Sequence, residues 1–207
     1  MTRRSASSGR WRRRQERDPY VERAGREGWR SRAVFKLDEI NAREKLIRRG
    51  MVCVDLGAAP GGWSQYAARK VGASGRILAV DLLPMDSIPR VELVTGDFMR
   101  PEVLAAVKSA LGDRGADLVM SDMAPNLSGS NAIDQPRHLA LAEEALLFAE
   151  ESLNRGGDFL IKLFQGEGFD ELVGRVRPKF AKTRLIKPKA SRPESREIYL
   201  LARQHGM

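Results

Sequence analysis

From residue 51 onward, short apolar segments rich in β-branched residues alternate with segments of helical periodicity. This alternation predicts an α/β fold with a mostly parallel sheet and helices on both faces. Seven strands are predicted at 51–56, 76–81, 91–95, 117–121, 158–164, 183–187 and 197–202. Helices are predicted at 33–46, 64–71, 102–111, 136–153 and 169–177, and the pair Gly156-Gly157 is interpreted as the stop signal of the fourth helix.

The length of 207 residues suits one globular domain. We expect a flexible Arg-rich arm at 1–18 and a single domain at 19–207. The chain has a single cysteine, which excludes an internal disulfide, so a reducing compartment is expected. One cysteine and two histidines offer few ligands for a metal ion, so a metal-free site is expected. Charges interrupt every apolar segment well before the roughly 20 residues that a membrane helix requires, so no membrane span is predicted.

Charge is unevenly distributed along the chain. Residues 1–32 carry +7, residues 33–174 carry −6 and residues 175–207 carry +8, for a net charge of +9. Arg-rich ends indicate a polyanionic partner, because arginine neutralises phosphates and binds them bidentately. Two alternatives remain open for the N-terminal block: a solvated tail, or an organelle-targeting peptide at 1–14.

A glycine-rich loop follows the first predicted strand, with Asp55 before it and glycines at Gly57 and Gly61. Such glycines let the backbone approach a ligand, and the next helix begins there with free N–H groups. A dinucleotide-binding loop is the competing interpretation. It requires a second glycine where this chain has Ala59, and Pro60 removes an N–H donor, so a cationic ligand near Asp55 is favoured.

Two further carboxylates lie at strand ends, because Asp81 closes the second predicted strand and Asp97 follows the third. Asp81 is placed to accept hydrogen bonds from two ribose hydroxyls, and Asp97 to reach an adenine edge. Either residue alone is more often a cap or turn residue. Together with Asp55 and the glycine loop they predict an acidic adenosine pocket, which complements the sulfonium of S-adenosylmethionine.

Two charged residues lie in apolar surroundings at later strands, Asp122 and Lys162. A lysine inside a central strand is costly unless it is paired or functional. The alternative is an edge-strand lysine whose amine reaches solvent.

Five segments of the chain, 31–40, the loop around Gly61, 121–126, 162–166 and 195–199, closely resemble the FtsJ/RrmJ family of ribosomal RNA 2′-O-ribose methyltransferases. The resemblance extends from about residue 20 to residue 202. It implies a Rossmann-like, S-adenosylmethionine-dependent methyltransferase fold. It also implies a catalytic tetrad and a set of cofactor contacts. The tetrad falls on Lys36, Asp122, Lys162 and Glu197, and the cofactor contacts fall on Gly61, Trp63, Asp81, Asp97 and Asp122.

The same resemblance implies the substrate, a uridine in the A-loop of 23S ribosomal RNA within the large (50S) ribosomal subunit. It therefore implies a cytoplasmic protein, expected to be a monomer. Two alternatives stay open: methylation of transfer RNA or another RNA, and a non-catalytic RNA-binding role in ribosome assembly.

Methylation of a ribose hydroxyl requires an aligned oxygen that loses its proton as attack develops. Lys162 is the predicted central group, either neutral as a base or charged as a stabiliser of the forming alkoxide. RNA is expected to contact Trp11, Tyr20, Trp29 and the basic residues at 175–196, although the role of Trp29 is left open.

Overall fold

The computed structural model describes residues 18–125 and 128–207, so the predicted arm at 1–17 with Trp11 lies outside the described residues. Six α-helices and seven β-strands follow one another in this part of the chain. The helices are α1 (Pro19–Arg26), α2 (Val34–Glu44), α3 (Gly62–Val71), α4 (Pro101–Leu111), α5 (Asn131–Ser152) and α6 (Phe169–Val176). The strands are β1 (Val52–Leu56), β2 (Arg76–Asp81), β3 (Val91–Thr95), β4 (Ala116–Ser121), β5 (Leu153–Phe164), β6 (Phe180–Ile186) and β7 (Glu197–His205).

The strands form one sheet in the order β3-β2-β1-β4-β5-β7-β6. All neighbouring pairs from β3 to β5 are parallel, whereas β7 is antiparallel to β5 and β6. The predicted seven-stranded, mostly parallel sheet is confirmed. The strand order reverses between β1 and β4, and ligands of such sheets bind outside the carboxyl ends of the strands at that point.

Two apolar layers cover the sheet, one on each face. Side chains alternate along β1, so Val54 packs with α4, α5 and α6, whereas Cys53 packs with α1, α2 and α3. Every residue of β1 is buried, as expected for a central strand of a parallel sheet. Within the described ranges, no helix is long and apolar enough to cross a membrane.

The predicted start of the fourth helix and its predicted stop signal are wrong. Helix α5 begins at Asn131, where the carboxylate of Asp134 accepts hydrogen bonds from the backbone of Ser128 and Gly129. It ends at Ser152, and Gly156-Gly157 lies inside β5 rather than stopping the helix. The register of β4 against β5 shifts in this region, so the two glycines lie in an irregularity of strand β5.

Helix α1 was not predicted, although its start signals are present. Asp18 is the N-cap, accepting a hydrogen bond from the Tyr20 N–H at 3.1 Å, and Pro19 occupies the first helical position. The second carboxylate oxygen of Asp18 pairs with Arg32 at 2.9 Å and Arg192 at 3.3 Å. Asp18, the last residue of the predicted arm, is therefore bound to the folded part of the chain.

Candidate active site

Four separate elements bring the predicted tetrad together. Asp122 follows β4, Lys162 is in β5, Glu197 begins β7, and Lys36 is in the first turn of α2. Strand β5 lies between β4 and β7, so Lys162 is in the sheet interior and the edge-strand alternative is wrong. Its neighbours in the apolar run, which include Leu163, are almost fully buried.

The four side chains form a continuous chain of charges. The Lys36 Nζ lies 2.9 Å from the Glu197 Oε1 and 3.9 Å from the Asp122 Oδ1. The Lys162 Nζ lies 3.0 Å from the same Asp122 oxygen and donates a hydrogen bond of 2.7 Å to the Asp122 backbone carbonyl. Lys36, Lys162 and Glu197 are each less than 10% exposed. Their buried charges are therefore compensated within the group.

Asp122 is the anionic centre of this group. Burial opposes its ionisation, but Lys162, Lys36 and a hydrogen bond from Tyr199 outweigh burial and lower the pKa of Asp122. The Lys162 amine contacts both the carboxylate and the backbone carbonyl of Asp122.

Tyr199 is a site residue that sequence reasoning did not assign a role. Its hydroxyl donates a 2.6 Å hydrogen bond to the Asp122 Oδ1. Burial, together with the carboxylates of Asp122 and Glu197, raises the pKa of Tyr199 well above its ordinary value, so it remains a donor. Strand periodicity could have identified Tyr199. Residues two apart in a strand share a face, and Tyr199 lies two residues after the candidate Glu197.

A cavity of about 400 Å³ lies at the carboxyl ends of β1, β2 and β4, against the tetrad. Gly57 faces it with a φ of 76°, and a Cβ there would overlap the side chain of Met123. This close approach requires glycine. Four of the predicted cofactor residues line the cavity: Gly57, Asp81, Asp97 and Asp122.

The backbone holds two of these carboxylates in place. Asp81 accepts hydrogen bonds from the N–H groups of Ala59 at 2.9 Å and Leu83 at 2.8 Å. Asp97 accepts one from the Met99 N–H at 3.0 Å. Each carboxylate has about four lone-pair sites, so both can still accept hydrogen bonds from a ligand.

The remaining predicted cofactor residues, Asp55, Gly61 and Trp63, are not among the residues that line the cavity. Gly61 adopts a φ of 104° and caps α3, whose first N–H groups lack intrahelical acceptors. The indole of Trp63 is buried and donates a 2.8 Å hydrogen bond to the Ala33 carbonyl. Contact of Gly61 and Trp63 with a cofactor stays a prediction.

Asp55 is buried beneath the loop, where its Oδ2 accepts a 2.6 Å hydrogen bond from the Ser64 hydroxyl. Burial raises the pKa of Asp55 to about 7, although the hydrogen bond from Ser64 opposes the shift. Its carboxyl group is therefore a much weaker source of negative charge at neutral pH than Asp122. In the part of the chain that the structure describes, no cluster of His, Cys, Asp or Glu is arranged to hold a metal ion.

The basic residues at 175–196 do not lie together at the site, contrary to the expectation. Arg175 and Lys179 pair with Glu143 and Glu150 of α5. They precede the start of β6, which pairs with the end of β7 remote from Glu197. Only the connection at 187–196 reaches the site edge, because it leads directly into Glu197.

The chain is similar to known RNA methyltransferases over almost its full length. The model of the family of FtsJ-like methyltransferases matches residues 29–205. Ribosomal RNA large subunit methyltransferase E of Legionella pneumophila (strain Corby) is 52% identical over 204 residues, with 99% of both chains covered. The protein of the same name from Halorhodospira halophila is 54% identical over 201 residues, covering 97% of this chain and 95% of that protein.

A solved structure shows the same arrangement of elements. The crystal structure of a putative ribosomal RNA methyltransferase from Plasmodium falciparum superimposes with a TM-score of 0.78 at 27% identity. The match covers 86% of this chain and 98% of that chain. With this fold, the matching family model and two relatives above 50% identity, the chain belongs to the family of FtsJ-like methyltransferases.

Proposed function

We propose that this FtsJ-like methyltransferase transfers the methyl group of S-adenosylmethionine to the ribose 2′-hydroxyl of a uridine in the A-loop of 23S ribosomal RNA. The substrate is the large ribosomal subunit, as in the names of the two bacterial relatives. The enzyme acts as a cytoplasmic monomer. The observation that carries the proposal is that Asp122 belongs both to the cavity lining and to the charged tetrad.

The cavity fits S-adenosylmethionine by its chemistry. Asp81 and Asp97 offer oriented acceptors for ribose hydroxyls and an adenine amine, and the ionised Asp122 complements a sulfonium. S-adenosylmethionine supplies the activated methyl group when it is bound. The narrow backbone approach at Gly57 leaves room for the ligand that a larger side chain would take.

Lys162 performs its role in the charged form in this proposal. Its amine lies between the Asp122 carboxylate and the Asp122 carbonyl, and both contacts stabilise an ammonium. A cation beside the 2′-oxygen would stabilise the negative charge that develops there as the hydroxyl proton passes to solvent water. Lys36 and Glu197 hold Asp122 and Lys162 in position and keep the buried charges balanced.

The test incubates the protein with labelled S-adenosylmethionine and unmethylated large subunits, naked ribosomal RNA or transfer RNA, and then maps the methyl group. Label on the A-loop uridine of large subunits is expected. Lys162→Ala should lower transfer at least about 100-fold while RNA binding is retained. Lys179→Ala, which removes a lysine remote from the site, is the matched control.

Four outcomes would contradict the proposal. Preferential labelling of transfer RNA would change the substrate, and RNA binding without any transfer would support a non-catalytic assembly role. Equal loss of transfer and RNA binding in Lys162→Ala would make this lysine a phosphate contact. A rate that rises with pH and levels off well below the ordinary lysine pKa of about 10.4 would instead indicate that Lys162 acts as a neutral base.

A further inference from the structure

A second cavity, of about 300 Å³, lies on the flank of the molecule away from the tetrad. We call it the Trp29 pocket. Aromatic rings form part of its wall and two cations border it. Its lining residues are Glu27, Trp29, Val34, Phe35, Asp38, Tyr66, Arg69 and Lys70. A pocket of this size that combines aromatic rings with cations has the composition of a site for a planar, phosphate-bearing group.

The cations of the Trp29 pocket lie over aromatic rings. The Arg69 guanidinium carbon is 4.1 Å from the centroid of the Trp29 ring, and the Lys70 Nζ is 5.1 Å from that of Tyr66. Among the described residues, neither Arg69 nor Lys70 forms an ion pair. Both charges are therefore available to an anionic ligand.

The two acids of the pocket are already engaged. Glu27 accepts hydrogen bonds from Arg23 at 2.7 Å and from the indole N–H of Trp29 at 3.0 Å. Asp38 accepts one from the Tyr66 hydroxyl at 2.9 Å. The ion pair with Arg23 offsets the charge of Glu27, and the bonds to Trp29 and Tyr66 position the aromatic groups. Arg69 and Lys70 are both exposed, so an approaching ligand can contact them.

Helix α2 connects the Trp29 pocket with the tetrad. Lys36 points into the tetrad, whereas Phe35 and Asp38 line the pocket on another side of the same helix. A helix with its side chains is about 10–12 Å wide. An RNA strand whose target ribose lies beside Lys36 can therefore reach the pocket within a few nucleotides.

We propose that the Trp29 pocket binds an unpaired base of the substrate RNA, a few nucleotides from the methylated ribose. This inference rests on the proposed function, because it takes RNA as the substrate. The base stacks on the Arg69 guanidinium, which itself lies over the Trp29 ring, and the adjoining phosphate contacts Lys70. Single-stranded RNA is commonly recognised by stacking on aromatic rings and on guanidinium planes.

The first experiment measures kcat and KM with large ribosomal subunits for Trp29→Ala, Trp29→Phe and Arg69→Ala. Trp29→Ala should raise the KM for RNA about tenfold with kcat and cofactor affinity unchanged, the effect of losing one stacked base. Trp29→Phe should recover part of the loss, because phenylalanine keeps a stacking face. Arg69→Ala changes an exposed residue and therefore tests the pocket even if Trp29→Ala is poorly folded.

Arg175→Ala is the matched control, since it removes an exposed arginine that pairs with Glu143 and does not line the Trp29 pocket. An unchanged KM in both Trp29→Ala and Arg69→Ala would overturn the proposal. A fall in kcat together with weaker cofactor binding would also overturn it, because it would show a purely structural role.

The second experiment titrates a short single-stranded RNA oligonucleotide and follows tryptophan fluorescence. Quenching in the wild type that is absent in Trp29→Phe supports the pocket even if ribosomal RNA is not methylated. Methylation of ribosomal RNA with no Trp29-dependent quenching and no change in KM would refute the pocket alone. Failure of this proposal and failure of the proposed function are thus distinguishable.

Discussion

Replacing Asp55 by asparagine is expected to change how the stability of the protein depends on pH. Burial raises the pKa of Asp55 from 3.8 to about 7 in the folded state, although the hydrogen bond from Ser64 opposes the shift. Between these values the folded protein holds a proton that the unfolded chain has released. The contribution of Asp55 to stability is therefore complete below about pH 4 and is lost as the pH rises through about 7.

The size of the effect follows from the shift. A shift of about three pKa units, at about 1.36 kcal/mol each, corresponds to about 4 kcal/mol. The amide that Asp55→Asn introduces cannot ionise, so the variant should not lose this stability as the pH rises. The difference in free energy of unfolding, variant minus wild type, should rise by about 4 kcal/mol between about pH 4 and pH 8. The altered hydrogen bond with Ser64 adds an offset that is the same at every pH.

Urea denaturation of both proteins at intervals of about one pH unit from pH 4 to pH 8 measures this difference directly. Two pH profiles that run parallel would refute the reasoning and would mean that Asp55 is ionised throughout. That result would also restore Asp55 as a full negative charge beneath the glycine loop. Affinity for S-adenosylmethionine at neutral pH should change little in the variant, because Asp81, Asp97 and Asp122 line the cavity and Asp55 does not.

Three further predictions concern other parts of the molecule. Burial lowers the pKa of His138 from 6.5 to about 4. The free energy of unfolding of the wild type should therefore fall by about 3 kcal/mol as the pH falls through this range, and urea denaturation should show a smaller fall in His138→Gln. Gly57→Ala places a Cβ against Met123 and should weaken binding of S-adenosylmethionine in calorimetry. Deleting residues 1–17, which hold seven Arg, while keeping the cap at Asp18 should make the salt dependence of RNA binding shallower.

Each of these has its own control. As the pH falls below 6.5, His138 lowers the free energy of unfolding whereas Asp55 raises it. The lowered pKa of His138 would be contradicted if His138→Gln alone left the dependence of this free energy on acid pH unchanged. Gly112→Ala has a similar positive φ of 59° but no neighbour within 4 Å, and equal effects of the two alanines would exclude steric overlap as the cause. An unchanged salt slope after the deletion would remove residues 1–17 from the RNA contact surface.

Local patterns were sufficient for much of the fold. Strands β2 and β3 coincide with the predicted ranges 76–81 and 91–95, because apolar β-branched runs between polar turns have a strong local preference. Asp122 and Lys162 stood out as charged residues in apolar segments, whereas Lys36 and Glu197 were assigned to the tetrad only through the resemblance to a known family. The seven-stranded sheet followed from the regular alternation of these segments.

Long-range packing decided what local patterns could not. Gly156-Gly157 resembles a helix stop, but pairing with β4 draws it into β5. Three acids lie at or near the carboxyl ends of strands, yet Asp81 and Asp97 face the cavity while Asp55 is buried against Ser64. Side-chain direction and burial depend on the elements packed around each strand, which no local pattern specifies.

The same distinction applies to the chemistry of the site. The residue types of the sequence are enough to indicate charged groups in a methyltransferase, but they leave the state of Lys162 open. Antiparallel insertion of β7 beside β5 brings Glu197 and Tyr199 to the group, and the turn after β4 aims the Asp122 carbonyl at the Lys162 amine. The Lys162 amine thus contacts a carbonyl that lies 40 positions earlier in the chain, and electrostatic energy depends on distance in space and not on separation along the sequence.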